Sequence, residues 1–572
     1  MRAKQYPPGS FLGKIKNRQI VGTLAAFISG GWFIYEIVHW ILVEHYNFPE
    51  RLIDVALVSV LCAMLCALTW RWFRGETRKR RIKLEYVLIP IFVFLAGVIN
   101  MNHIRHFKEK TGENYGDIFR KNDWKNSVAV LPFVNMSGDN DQEYFCDGLT
   151  EELITKLSQI RELKVPARTS AFVFKDEKID IREVGQKLSV ENVLEGSVRK
   201  SGSRIRISAQ LINVHDGYHL WSETYDRDMR DIFAVQDEIA HSVAGKLKVT
   251  LLGNGEASLE TKNIDAYDCF LMGQYHYGRQ TRESLEKAVD YYEQAIKLDS
   301  DYARAWAGLG STYAFQAGLG YVRPKKGYAQ AKAAVNKALG LDKNLAYAHA
   351  VMGWIKMSGD WDWAGADAAY QKAISLDPNR GLGEAAQLAV ALGRFDQGIE
   401  LARRTAEINP ISAQALVTLG FTLWYGGHLE ESIAVYRKIL ELIPEYPAVR
   451  GMIGLVYLTQ SDPQAALAEL ELVKDPYWRL AGLSMAYHSL GREAESEAVL
   501  AEFIENYQAG GAYNVAQAYA FRGEADRAFK WLERAYDQHD GGVFLVMVDP
   551  LLKNLKLDPR YEKLLKKMRL PV

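Results

Sequence analysis

Cysteine is nearly absent, with four in 572 residues, and two of them, Cys62 and Cys66, fall inside an apolar run. No zinc-ligand spacing is present, and nothing in the positions of Cys146 and Cys269 demands a disulfide. Net charge is missing too, Lys+Arg 70 standing against Asp+Glu 70. So are the signatures of chemistry. There is no phosphate loop, no HExxH, no GxSxG on a strand–turn–helix, no paired CxxC and no nicotinamide fingerprint. GLGEAAQLAVALG, at 381–393, has the glycines of a nucleotide loop but no strand before it. These gaps leave no residue to nominate as catalytic, cofactor-binding or metal-binding. The chain is therefore expected not to be an enzyme, to need no cofactor and to have no small-molecule substrate.

What is present is unevenly spread. Residues 1–125 hold 19 basic and 10 acidic side chains, and the remainder 51 and 60. An acidic remainder argues against a nucleic-acid surface. The basic front end carries three apolar stretches of spanning length, at about 20–43, 53–70 and 86–104. The first lacks a small-residue cleavage site, which predicts an anchor and not a removable signal. Cations gather before it (Lys14, Lys16, Arg18) and between the second and third stretches (Arg78, Lys79, Arg80, Arg81). The loop between the first two offers only Arg51. By the positive-inside rule this places residues 1–19 in the cytoplasm, 20–104 in a bacterial inner membrane as three transmembrane helices, and everything after a 105–125 linker in the periplasm. Glu36 and His39 lie three apart inside the first stretch, on one helix face. They read either as an intramembrane functional pair or as hydrated interface residues.

From Ser127 the pattern turns to short strands mixed with helices. SVAVLPF, LKVPAR, AFVFK, VENVLEGSVRK, RIRISAQLINV and HLWSETYDR predict strands, while EYFCDGLTEELITKLSQI, DIREVGQKL and IFAVQDEIAHSVAGKLKV predict helices. This is a small α/β domain over 126–252. Asp139, Asp141, Asp147, Glu151 and Glu152 form an acidic cluster that turn formation and helix N-terminal acids explain. HDGYH, with His215 and His219, marks a hairpin turn. AVLPF, MSGD, EYFCDGLTEEL and then VENVLEGSVRKSGSRIRISAQLINVHDGYHLWSETYDR closely resemble the TolB amino-terminal-like domain. In related chains that domain sits between a membrane span and helical repeats, under a winged-helix or nucleotide-cyclase head that the front of this sequence lacks. The resemblance implies a periplasmic adaptor or sensor domain, and its motif fixes no ligand.

Beyond Lys262 the sequence repeats itself. AWAGLGSTY, AAYQKAISLDP and ALVTLGFTLWYGGHLEESIAVYRKILELIP each carry part or all of one helix-pair signature. Gly273, Gly310, Gly353, Ala386, Gly420, Gly454, Ser484 and Ala516 recur at a single small-residue position. The pattern is that of tetratricopeptide repeats, predicting an all-α solenoid of about eight units over 263–548 and a Lys-rich capping helix over 549–572. Each hairpin cannot bury its apolar face alone, so neighbours stack. By analogy with the repeat family, the inner helix face includes Tyr267, Phe270, Gln274, Tyr277, Arg304, Tyr347, Trp354, Phe421 and Trp424. Such an aromatic concave surface suits a protein segment or peptide; the alternative reading is that some of these side chains plug the groove. The functional expectation is a membrane-anchored periplasmic scaffold for protein partners, acting in signal transduction. An accessory subunit of an inner-membrane enzyme or transporter is the alternative.

Overall fold

The computed structural model describes residues 126–571 apart from 138–141, 161, 178 and 250–260. The chain enters this region as β1 (Val128–Val130) and β2 (Val134–Asn135), followed by α1 (Glu143–Ser158), the single turn α2 (Arg168–Ala171) and α3 (Ile181–Leu188). Three ten-residue strands come next, β3 (Asn192–Ser201), β4 (Arg204–Asn213) and β5 (His219–Asp228), and α4 (Ile232–Leu247) closes the layer. The sheet runs β1-β3-β4-β5, with β2 also on β3. β1 and β2 lie parallel to β3, and the other pairings are antiparallel. Alternation along RIRISAQL buries Ile205, Ile207, Ala209 and Leu211 in one core with Leu149 and Leu153 of α1 and Val235 and Ile239 of α4. A smaller core holds Ala129, Val184, Leu188, Val193 and Val214.

Two expected strands are not strands. LKVPAR contributes one isolated bridge, Ser127 to Lys164, and AFVFK is the end of α2 running into a 3-10 turn at Phe172–Phe174. Pro166 has no N–H to give a ladder. The Ala167 N–H is taken by a side chain from far along the chain, Asn409 Oδ1 at 2.7 Å. Tertiary context thus overrides local strand preference.

The rest is helical. The first four hairpins are α5 (Ile264–Tyr277) with α6 (Arg282–Leu298), α7 (Ala303–Gly318) with α8 (Pro324–Leu341), α9 (Ala346–Trp354) with α10 (Trp363–Leu376), and α11 (Leu382–Ala391) with α12 (Phe395–Ile408). The next four are α13 (Ala413–Tyr425) with α14 (Leu429–Leu442), α15 (Val449–Thr459) with α16 (Pro463–Glu471), α17 (Pro476–Ser489) with α18 (Glu493–Tyr507), and α19 (Ala512–Phe521) with α20 (Ala525–Gln538). The small-residue position is where the two helices of a hairpin touch. A Cβ built on Gly353 would lie 2.6 Å from the Tyr370 ring, and one on Gly420 would lie 2.5 Å from Tyr436. After α20 come 3-10 turns at Val543–Leu545 and Pro550–Leu555, then α21 (Pro559–Lys567).

Two further contacts shape the solenoid. The first hairpin shares the main core of the α/β layer, so Tyr267, Phe270 and Leu271 belong to the same cluster as Val128 and Leu149. At the other end the chain returns to its own middle. The Trp363 indole N–H donates to the Met568 carbonyl at 2.8 Å, and Trp361 stacks on His539 at 5.4 Å. All the described residues belong to one compact unit, Lys121–Val572.

The expected fold class needs correction in its membrane part. Among the described residues no helix is long and apolar enough to cross a membrane. The longest, α8, has 18 residues but buries only a stripe through Tyr328, Ala331, Val335 and Ala338, its other faces carrying lysines and Asn336. The stretches at 20–104, with Glu36 and His39, lie outside the described residues. The three-span fold class and the inner-membrane, periplasmic localisation built on it are accordingly withdrawn, and with them the bilayer as a partner.

Candidate binding groove

Successive inner helices of the solenoid present their faces to a common hollow. Tyr277 at the end of α5, Ser311 on α7, and Tyr347 and Trp354 on α9 line a cavity of about 310 Å³. The rest of its lining comes from the turn before α11, from α11 itself and from α13, through Asn379, Arg380, Glu384 and Gln414. The glycine-containing stretch at 381–393 thus forms part of this lining. Thr169, from the α/β layer, reaches the same cavity, beside Asn409 and Ser412.

Polar and aromatic groups alternate around it. The Ser311 hydroxyl donates to the Tyr277 oxygen at 3.0 Å, and Tyr277 meets Phe315 edge-on at 5.9 Å. Phe315 in turn meets Trp354 at 5.9 Å. The Arg380 guanidinium lies 5.6 Å from the Tyr347 ring centre and 3.6 Å from the Asp377 carboxylate. Burial pushes the Tyr277 and Tyr347 hydroxyls above their usual range, so both stay protonated and can donate. A hollow with hydroxyl, amide and guanidinium groups among flat aromatic faces can hold a peptide backbone and a side chain together.

Of the nine sequence-predicted residues, this cavity collects Tyr277, Tyr347 and Trp354. Four others meet the α/β layer. Tyr267 is fully buried against Phe233 and accepts from Gln236 Nε2 at 2.9 Å. Phe270 is buried between Tyr292 and Tyr302. Gln274 Nε2 donates to Glu151 at 3.3 Å, and Arg304 makes a two-pronged pair with Glu152, whose side chain is only 1% exposed. The last two lie further along. Phe421 packs on Tyr425 at 4.6 Å, and Trp424, buried, donates its indole N–H to Thr459 at 3.0 Å.

The acidic cluster dissolves into these pairings. Asp147 accepts from Lys175 at 2.5 Å and Glu151 lies 3.3 Å from Arg168, while Asp139 and Asp141 lie outside the described residues. HDGYH is the β4–β5 hairpin turn, with Gly217 at φ 75°. Cys146 and Cys269 are free. Sequence reasoning missed Arg380 and Asn379, which follow Pro378 at a repeat boundary and could have been found by that position. It also missed Thr169, for which the sequence holds no signal.

Comparison with known proteins divides along the same line. Residues 124–242 match the second domain of HilA/YgeH-like transcriptional regulators, and no TolB amino-terminal-like domain is shown for that stretch. A protein of Rhizobium meliloti (strain 1021) named putative adenylate cyclase 3 is 43% identical over 188 residues, 32% of this chain and 32% of that protein. Small glutamine-rich tetratricopeptide repeat-containing protein 2 of Mycosarcoma maydis is 32% identical over 85 residues, 14% of this chain and 24% of the relative. The matched region therefore spans a third or less of each of these relatives. The solved structure of Pseudomonas aeruginosa pilF is 18% identical, covering 36% of this chain and 93% of that one at a TM-score of 0.29. Tetratricopeptide models match at 282–316 and 384–447. The helical hairpins that follow the α/β layer are tetratricopeptide repeats, and such repeats point to a protein–protein interaction scaffold.

Proposed function

We propose that this chain is a scaffold that holds an extended segment of a protein partner in the concave groove of its repeats and relays a signal through that partner. The observation that carries the reading is the 310 Å³ cavity, where Tyr277, Tyr347 and Trp354 from two inner helices converge with Arg380 and Asn379. Aromatic and arginine side chains in a partly enclosed hollow are the residues that dominate binding energy at protein interfaces. The relay role draws support from the 43% identity, over 188 aligned residues, to a protein named putative adenylate cyclase 3.

The test is selection of peptides from a random display library on the full chain, followed by affinity measurement on variants. Trp354→Ala and Arg380→Ala should each weaken the selected peptides at least thirtyfold, about 2 kcal/mol or more. Lys530→Ala, on the outer helix α20, should leave them unchanged. Selected peptides indifferent to both groove substitutions would place the binding surface elsewhere.

A further inference from the structure

The α/β layer touches the solenoid at two places of different character. At the first hairpin the two share a continuous apolar core, and the Arg304–Glu152 pair is sealed within the contact. At the second place, four hairpins along, the contact is mostly polar. Asn409 Oδ1 accepts from the Ala167 N–H at 2.7 Å and from the Ser170 hydroxyl at 3.3 Å. The Thr169 hydroxyl donates to Ser412 Oγ at 3.3 Å. Asn409 Nδ2 donates to the Thr405 carbonyl, also at 3.3 Å, which aims the amide oxygen at the turn. Ile411 adds an apolar contact, against the small core. Asn409, Ser412 and Thr169 all border the 310 Å³ cavity.

We infer that the turn at 166–170 is an internal stand-in for the partner. It lies at the polar end of the groove and uses a backbone N–H and two hydroxyls to satisfy Asn409 and Ser412. The partner is then a segment able to form the same single turn, with a free backbone N–H followed within three residues by Ser or Thr hydroxyls, and it binds by displacing the resident turn. This rests on the groove reading above and adds the partner's chemistry and a competition. A tethered turn acts at millimolar effective concentration, so even weak contacts hold it in place until a free segment competes. Three hydrogen bonds, two of them long, suit a contact that opens.

The probe is a fluorescein-labelled peptide of residues 163–174, LKVPARTSAFVF, titrated into the full chain. Thr169→Ala with Ser170→Ala removes the two hydroxyl contacts of the resident turn and leaves the solenoid's own side of the groove, Asn409, Ser412, Tyr347 and Trp354, unaltered. This variant should capture the peptide roughly tenfold more tightly than the parent, the worth of two neutral hydrogen bonds. Adding Asn409→Ala should reverse that gain. In the parent, excess unlabelled peptide should speed amide exchange across 165–171, a readout that serves if the substituted chain does not fold. No capture, capture indifferent to Asn409, or exchange unchanged by peptide would each overturn the stand-in. Library peptides sensitive to Trp354 would still uphold the groove, so the two readings fail separately.

Discussion

Among single residues, Arg304 best separates binding from architecture. Its position on an inner helix marked it as a partner contact, yet its guanidinium is committed to Glu152 and lies 4.8 Å from the Phe270 ring centre. Arg304→Ala would strand a carboxylate that is 1% exposed. We predict a loss of about 3–5 kcal/mol in chemical denaturation of the full chain, the usual cost of breaking one side of a buried pair. A loss below about 1 kcal/mol would mean that Glu152 finds water or another donor. The sequence could show that Arg304 faces inward. What it faces depends on α1, more than 140 residues earlier in the chain (separation 152), and no local pattern encodes that. Tyr277, Tyr347 and Trp354 line one cavity because α5 and α9 both belong to the inner row of helices.

At the scale of the element, the hairpins were the most readable part of the chain. The recurring small residue has one physical cause, the approach of an aromatic or aliphatic side chain from the second helix, and that cause recurs at Gly273, Gly353 and Gly420. Gly420→Ala would bring a methyl to 2.5 Å from the Tyr436 ring, which is fully buried and cannot swing away. Overpacking of this kind costs about 1–3 kcal/mol, and the helix propensity of alanine returns up to about 1 kcal/mol of it. A net fall in melting temperature of a few degrees is expected, and Gly420→Ala combined with Tyr436→Leu should recover part of it. An unchanged melting temperature for Gly420→Ala alone would show that the hairpin can spread. The α2 region was not readable for the opposite reason. AFVFK has strand composition, but its neighbour Ala167 is claimed by Asn409, separated by 242 residues.

For the whole molecule, closure matters more than any single repeat. The tail does not merely cover the last hairpin, because Trp361 and Trp363 of the third are buried against His539 and Met568. Deleting residues 559–572 should therefore raise amide exchange over 355–376 by at least tenfold, in addition to the expected rise near the new end. A rise confined to 512–555 would mean that the third hairpin holds its tryptophans without help. Nothing in the repeat pattern announces this contact, since the signature describes each unit against its neighbours and is silent on where the superhelix meets itself.

The same contact sets a schedule at the ribosome. The Trp363 indole waits for the Met568 carbonyl, a residue 205 positions later. At translation speeds of about 5–20 residues per second, that interval is roughly 10–40 s. Throughout it a pair of indoles that end up almost fully covered stand open on the nascent chain, and their final neighbours are made only at the close of that interval. A ribosome stalled short of codon 568 would leave the third hairpin in the state that holding chaperones recognise.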